Sequence, residues 1–145
     1  MREADAFDET AFLGLSRNSK RDPYRLALFA RHLEPEERPR VFLAVHGGTL
    51  VVTDRRLLEF RAHLEVHGAW NVKEFQGYEV RRQIDRAKVR SVEHVVSPVK
   101  DGAAAVEDLV LLAVEDHVEA IAVSRGPEPT LPPEDFEQLK TAILG

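Results

Sequence analysis

The sequence predicts a mainly β domain: seven short antiparallel strands forming a sandwich or partly open barrel, a C-terminal helix capping its open end, and an N-terminal helical extension. Three observations carry this prediction. Between Arg40 and Ser124, apolar residues recur in short β-rich runs separated by turn chemistry. Helical spacing is confined to the two ends of the chain. The chain has 145 residues and no cysteine, a size that folds on its own core without disulfides or a thiolate metal site.

Residues 7–16, FDETAFLGLS, predict a short first helix with Asp8 near its start, although Gly14 is unfavourable inside it. Asp22-Pro23 opens a second, with Asp22 as N-cap and Pro23 in the first turn. Tyr24, Leu28, Phe29 and Leu33 supply its apolar stripe, and Pro35 and Pro39 close it. Val41 to Val45 is the first strand of the body, His46-Gly47-Gly48-Thr49 a turn, and Leu50 to Thr53 the second strand. Asp54 favours a tight corner, which places Arg55 and Arg56 beside it with their charge in water. The third strand alternates most clearly: Leu58, Phe60, Ala62, Leu64 and Val66 on a buried face, Glu59, Arg61, His63, Glu65 and His67 on a wet one.

Gly68 to Lys73 is a loop carrying Trp70, the only tryptophan. Phe75 to Gln83 forms the fourth strand. Arg82 breaks its alternation, which calls for a bulge or a strand end there. Lys88 to Val96 is the fifth strand, Asp101-Gly102 a turn, Leu109 to Val114 the sixth strand, Glu115-Asp116-His117 a turn and Val118 to Ser124 the seventh. Four prolines between Gly126 and Pro133 end the β region. In the last helix Glu134 and Asp135 suit the dipole of the first turn, and Phe136, Leu139 and Ile143 form one stripe.

The net charge is −5. Residues 101–145 hold ten acids against Arg125 and Lys140, a net of −8, so residues 1–100 carry +3. An acidic total argues against a general nucleic-acid binder, while the asymmetry leaves room for one local basic patch. No apolar run approaches the roughly 20 residues of a membrane span. The start, MREADAFDET, lacks the basic and apolar regions of a secretion signal, so a cytoplasmic location is expected.

Three segments carry a family resemblance. Leu33-Glu34-Pro35-Glu36-Glu37 leads into the first body strand. Thr49-Leu50-Val51-Val52-Thr53-Asp54-Arg55-Arg56-Leu57 forms a hairpin with a Thr-Asp-Arg-Arg corner. Ile84-Asp85-Arg86-Ala87-Lys88-Val89-Arg90-Ser91-Val92-Glu93 opens the fifth strand. Over about residues 33–144 this pattern resembles the bacterial pleckstrin-homology-like (PH-like) domains. The resemblance implies seven strands plus a C-terminal helix as a PH-like domain over 33–145, with residues 1–32 as an added helical extension. It implies a binding scaffold rather than a reaction: relatives bind phosphoinositide headgroups, bind protein segments or assemble with themselves.

Relatives that hold headgroups place basic residues around the first hairpin, whereas Ala44 to Thr49 has none. The expected function is therefore a non-catalytic module for a protein partner or for itself, as a homo-oligomer. The alternative is an anionic lipid surface met through Arg81, Arg82, Arg86, Lys88 and Arg90, for which cross-strand pairing with Glu59, Glu79 and Glu93 is the competing use. Trp70 is a further candidate contact for partner or lipid.

No cofactor or metal is expected. His63 and His67 share a face but stand about 13 Å apart at roughly 3.3 Å per residue. No enzyme is expected either. Ser91, Ser97 and Ser124 lack a G-x-S-x-G setting, and His46-Gly47-Gly48 lacks the rest of a phosphate loop.

Overall fold

The computed structural model describes residues 2–70, 72–99 and 104–145; the turn expected at Asp101-Gly102 lies outside them. The chain is mainly β, in two packed sheets with a C-terminal helix, and the sheets do not close into a barrel. The larger sheet places β1 (Ala11–Leu13), β2 (Pro39–Val45), β3 (Gly48–Thr53), β4 (Arg56–His67) and β5 (Val72–Asp85) side by side in that order. The smaller consists of β6 (Val89–Pro98), β7 (Val106–Val114) and β8 (His117–Gly126). Helix α1 spans Pro23–Ala30 and α2 spans Pro133–Leu144. No helix among the described residues is long and apolar enough to cross a membrane.

Strand β1 lies where the first helix is expected. Residues 4–7 and 14–16 make short 3₁₀ turns, and Ala11, Phe12 and Leu13 between them pair in parallel with Val41, Phe42 and Leu43. Pairing with β2, rather than local propensity, decides this segment. Helix α1 starts as expected: the Asp22 carboxylate accepts from Arg25 N at 3.1 Å, and Pro23 follows in the first turn. Its buried stripe differs from expectation, comprising Leu26, Phe29 and Ala30 with Leu33 beyond, while Tyr24 is 87% exposed.

The larger sheet is buried on both faces along β2 and β3. Alternation along the strands sends Val41, Leu43, Val45, Leu50, Val52, Leu57 and Ile84 to one side. There they meet Val92, Val110, Leu112 and Ile121 of the smaller sheet and Leu139 and Ile143 of α2. The intervening residues Phe42, Val51, Leu58 and Phe60 meet Phe7, Leu26, Phe29, Ala30 and Leu33. The N-terminal segment is thus a third layer on its own sheet. Phe42 sits at its centre, with ring centroids 5.8, 5.1 and 5.2 Å from Phe7, Phe12 and Phe29. In the turn from β2 to β3, Gly47 takes φ +76°. Gly48 lies so near β4 that a Cβ there would stand 1.9 Å from the Phe60 carbonyl oxygen.

The third layer ends where β3 ends. Strand β3 pairs with β4 only from Val52–Leu57 to Thr49–Phe60. Beyond Phe60, β4 and β5 continue as a two-stranded arm. The expected buried face of this strand is therefore buried only as far as Phe60; Ala62, Leu64 and Val66 are exposed. On the face expected to be wet, Glu59 is buried. Two bulges on β5 set the arm's twist. One is at Arg81, where the anticipated break in alternation occurs; the other lies between the Ala62–Tyr78 and Leu64–Phe75 pairs, where Gly77 takes φ +94°.

Phe60→Ala should destabilise the protein by about 3–5 kcal/mol, as loss of a buried ring does. Leu64→Ala, four residues on and on the same strand face, should stay within about 0.5 kcal/mol. Chemical denaturation of the two variants checks this, and equal costs would contradict the boundary.

Candidate functional site

The arm runs from Arg61 to His67 and back from Val72 to Glu79, with Trp70 in the turn between. Directly paired residues share a face, so Leu64 with Phe75 and Ala62 with Tyr78 continue the side that carries Phe60. Within the body that side is covered by α1 along β2 to β4, while Val80, paired with Phe60 on the outer strand, is 38% exposed. Tyr78 is the last covered residue: its ring stacks on Phe29 at 3.9 Å, its hydroxyl accepts from Arg25 Nε at 2.8 Å, and its carbonyl meets His32 Nε2 at 2.9 Å. Past it nothing in the chain covers the surface among the described residues. Leu64 and Phe75 are about half exposed, Val66 slightly more, and Trp70 is 90% exposed.

The opposite face of the arm is polar and internally paired. Arg61 Nε donates to Glu79 at 2.6 Å, and His67 Nε2 lies 3.1 Å from Glu74 and 3.5 Å from Glu65. His63 lies 3.4 Å from Glu79. The Arg61 hydrogen bond, helped by the Arg61 and His63 charges, holds the Glu79 pKa below the usual carboxylate range. The arm therefore has one largely polar, internally paired face and one uncovered face that is apolar apart from Lys73 opposite Val66.

Two ion-pair networks fix its base. Glu37 is fully buried. Its Oε1 accepts from Arg56 Nη2 at 2.9 Å and from Glu34 N at 3.0 Å. Its Oε2 accepts from Arg56 Nε at 2.9 Å and from the Thr53 hydroxyl at 2.7 Å. Arg56 also donates to the His32 carbonyl at 3.0 Å and to Gln83 at 3.1 Å. The expectation that both corner arginines extend into water therefore holds only for Arg55, which pairs with Glu34 at the surface. Arg56 turns inward because a buried carboxylate, nineteen residues upstream, requires it. Burial acts to raise the Glu37 pKa. The hydrogen bonds from Arg56, Thr53 and the Glu34 amide outweigh it and hold the pKa below the usual value.

The second network joins the sheets. Arg82 donates to buried Glu59 on β4 through Nε at 2.8 Å, and to Glu119 and the Ala120 carbonyl on β8, each at 3.1 Å. Burial opposes the Arg82 charge, but the two carboxylates outweigh it and raise its pKa.

The five basic candidates do not form one free patch. Arg82 is this inter-sheet clamp. Arg86 donates to the Asp54 carbonyl at 3.0 Å and to the Ile143 carbonyl at 3.2 Å, fastening the end of α2. Arg81 lies 3.7 Å from Glu59. Lys88 and Arg90 are exposed on the turn into β6 and on β6 itself. Trp70, the sixth candidate, is exposed in the turn at the end of the arm that carries Leu64, Val66 and Phe75. The sequence reading places Leu64 and Val66 on a buried face. The signal that separates them is length, since β4 has twelve residues against six in β3.

One further polar cluster lies elsewhere. Fully buried Asp108 accepts from the Thr130 and Leu131 amides at 3.0 Å each and faces His94 Nε2 at 2.5 Å; His94 stacks on Phe136. This cluster ties the segment entering α2 to the smaller sheet. Comparison of the chain with protein-family models, curated proteins and solved structures gives no match in any of the three.

Arg56→Ala should cost about 3 kcal/mol, because it leaves the Glu37 charge buried and unpaired. Arg55→Ala should cost less than about 0.5 kcal/mol. Since the folded pKa of Glu37 lies below its ordinary 4.5, this carboxylate contributes stability that is present above that value and lost as pH falls through the folded one. Denaturation at pH 7 and in the acid range should show Glu37→Gln less stable at pH 7 and less sensitive to acid than wild type.

Proposed function

We propose that this protein is a non-catalytic binding module of PH-like architecture whose docking element is the β4–β5 arm. The observation that carries the reading is the abrupt end of coverage beyond Tyr78: a contiguous apolar strip, Leu64, Val66 and Phe75, with an exposed tryptophan at the tip. Exposed large apolar residues scattered singly are ordinary, but a contiguous group on a projecting element marks a surface that another molecule covers. Tryptophan and phenylalanine are the residues that anchor such contacts. The PH-like part of the proposal is supported by strand order. A four-stranded meander β2–β5, a three-stranded meander β6–β8 and a terminal helix follow one another as the resemblance implies.

A protein surface, in the cytoplasm, suits the arm better than an anionic lipid surface. Between residues 61 and 81, Arg61, Lys73 and Arg81 balance Glu65, Glu74 and Glu79, so electrostatic attraction to an acidic headgroup layer is absent. Of the five basic candidates, Arg82 and Arg86 are spent on internal hydrogen bonds.

Crosslinking capture from native lysate with wild type and with Trp70→Ala/Phe75→Ser tests the reading. Wild type should retain a defined partner that the double variant loses, while both unfold at the same temperature. Capture unaffected by the double substitution would contradict the arm's role.

A further inference from the structure

We infer that the polar face of the arm is a pH-sensitive device: protonation of His63, His67 and His117 completes its charge pairing and stiffens the β4–β5 ribbon, and deprotonation loosens it. The inference concerns the face opposite the apolar strip and stands whether or not the arm docks a partner.

The geometry begins with register. Residues two apart on a strand share a face, and so do paired residues, so Arg61, His63, Glu65 and His67 of β4 lie with Glu74 and Glu79 of β5. Glu65 and Glu74 stand directly opposite one another, a like-charge pair that destabilises a ribbon on its own. The histidines flank Glu65 along β4. His67 Nε2 is 3.5 Å from Glu65 and 3.1 Å from Glu74, while His63 is 3.8 Å from Glu65 and 3.4 Å from Glu79. The row continues into the body. Glu59 accepts from Arg82, Arg82 reaches Glu119 on β8, and Glu119 lies 3.0 Å from His117 Nε2, whose other nitrogen faces Asp116 at 3.3 Å.

Charge gives the direction. Among the described residues, the fixed cations of this row are Arg61, Arg81 and Arg82, against Glu59, Glu65, Glu74, Glu79, Asp116 and Glu119. Three against six leaves −3 with neutral histidines, and the three histidine cations bring the row to zero. Lys73 belongs to the other face, paired with Val66.

Histidine changes charge between about pH 5 and 8, and all three rings are about half exposed to solvent protons. The carboxylates keep their charge in that range. Arg61, with His63 behind it, holds the Glu79 pKa below the usual carboxylate value, and Arg82, with His117 behind it, does the same for Glu119. A histidine cation meets these acids only while the ribbon is folded. By linkage the arm therefore gains stability as pH falls through the histidine range and loses it as pH rises back. A two-stranded ribbon is marginal in water, so a modest change in charge pairing alters its opening before that of the layered core.

Amide hydrogen exchange of the full chain at pH 8 and pH 5.5, corrected for the intrinsic pH dependence of exchange, tests this, with the β2 and β3 amides showing that the core is folded. Protection of His63 to His67 and Val72 to Gln76 should rise by about tenfold at pH 5.5, since three exposed pairs each contribute a small factor. The gain should shrink in about 0.5 M salt, which screens exposed charges. In His63→Gln/His67→Gln it should fall to about twofold, the share left to His117. That variant keeps His32 on the Tyr78 carbonyl and the His94–Asp108 pair, so it separates the arm's histidines from these others. Equal arm protection at the two pH values, a gain undiminished in the double variant, or an arm unprotected at both pH values overturns the inference.

Discussion

A carboxylate placed out of water must recover its solvation from fixed donors, or the fold loses several kcal/mol. Glu37 is that group here. It recovers four hydrogen bonds, two of them from one guanidinium, and the donors come from separate parts of the chain: Thr53 at the end of β3, Arg56 at the start of β4 and the Glu34 amide in the turn after α1. Arg56 then reaches the His32 carbonyl and Gln83 on β5. One buried charge pair thereby sets α1, the β3–β4 corner and β5 relative to one another. Because α1 is held there, Phe29 and Leu26 lie over Phe42 and Phe60, and the outer face of the larger sheet is buried.

The same arrangement limits how far that burial extends. Helix α1 is eight residues long, and its reach over β5 ends at Tyr78 through Phe29 and Arg25. Strand β3 stops opposite Phe60. Beyond this line the β4–β5 pair has cross-strand bonds and a paired polar face but no layer above it. The arm follows from two lengths, that of α1 and that of β3, each shorter than the hairpin they support. Arg82 fixes the other side of the same line by linking Glu59 to Glu119 across the sheets, so the arm leaves a braced base.

Much of this was legible in the residues, and the parts that were not share a cause. The strands of the body announce themselves by alternation, the α1 start by Asp22-Pro23 and the α2 stripe by Leu139 and Ile143, because each signal is local. Strand β1 has three residues, too few for a period, and exists through its pairing with Val41 to Leu43. The inward turn of Arg56 depends on an acid in a different segment, and buried Glu59 is paired by Arg82, which reaches on to β8. Alternation states which face a side chain takes; whether anything covers that face is a tertiary matter. That is why Phe60 and Leu64, identical in pattern, differ in environment. The candidate site was legible only in Trp70, and the basic residues grouped by sequence divide between internal clamps and separate surface positions.

Amide hydrogen exchange along β4 and β5, measured at low micromolar concentration, tests most directly whether coverage ends between Phe60 and Leu64. The amides of β2, β3 and Leu57 to Phe60 should be strongly protected. Those of His63 to His67 and Val72 to Gln76 should exchange faster by on the order of a thousandfold or more, since opening of an uncovered ribbon needs no unfolding of the core. Protection continuing evenly along β4 to His67 would contradict the account.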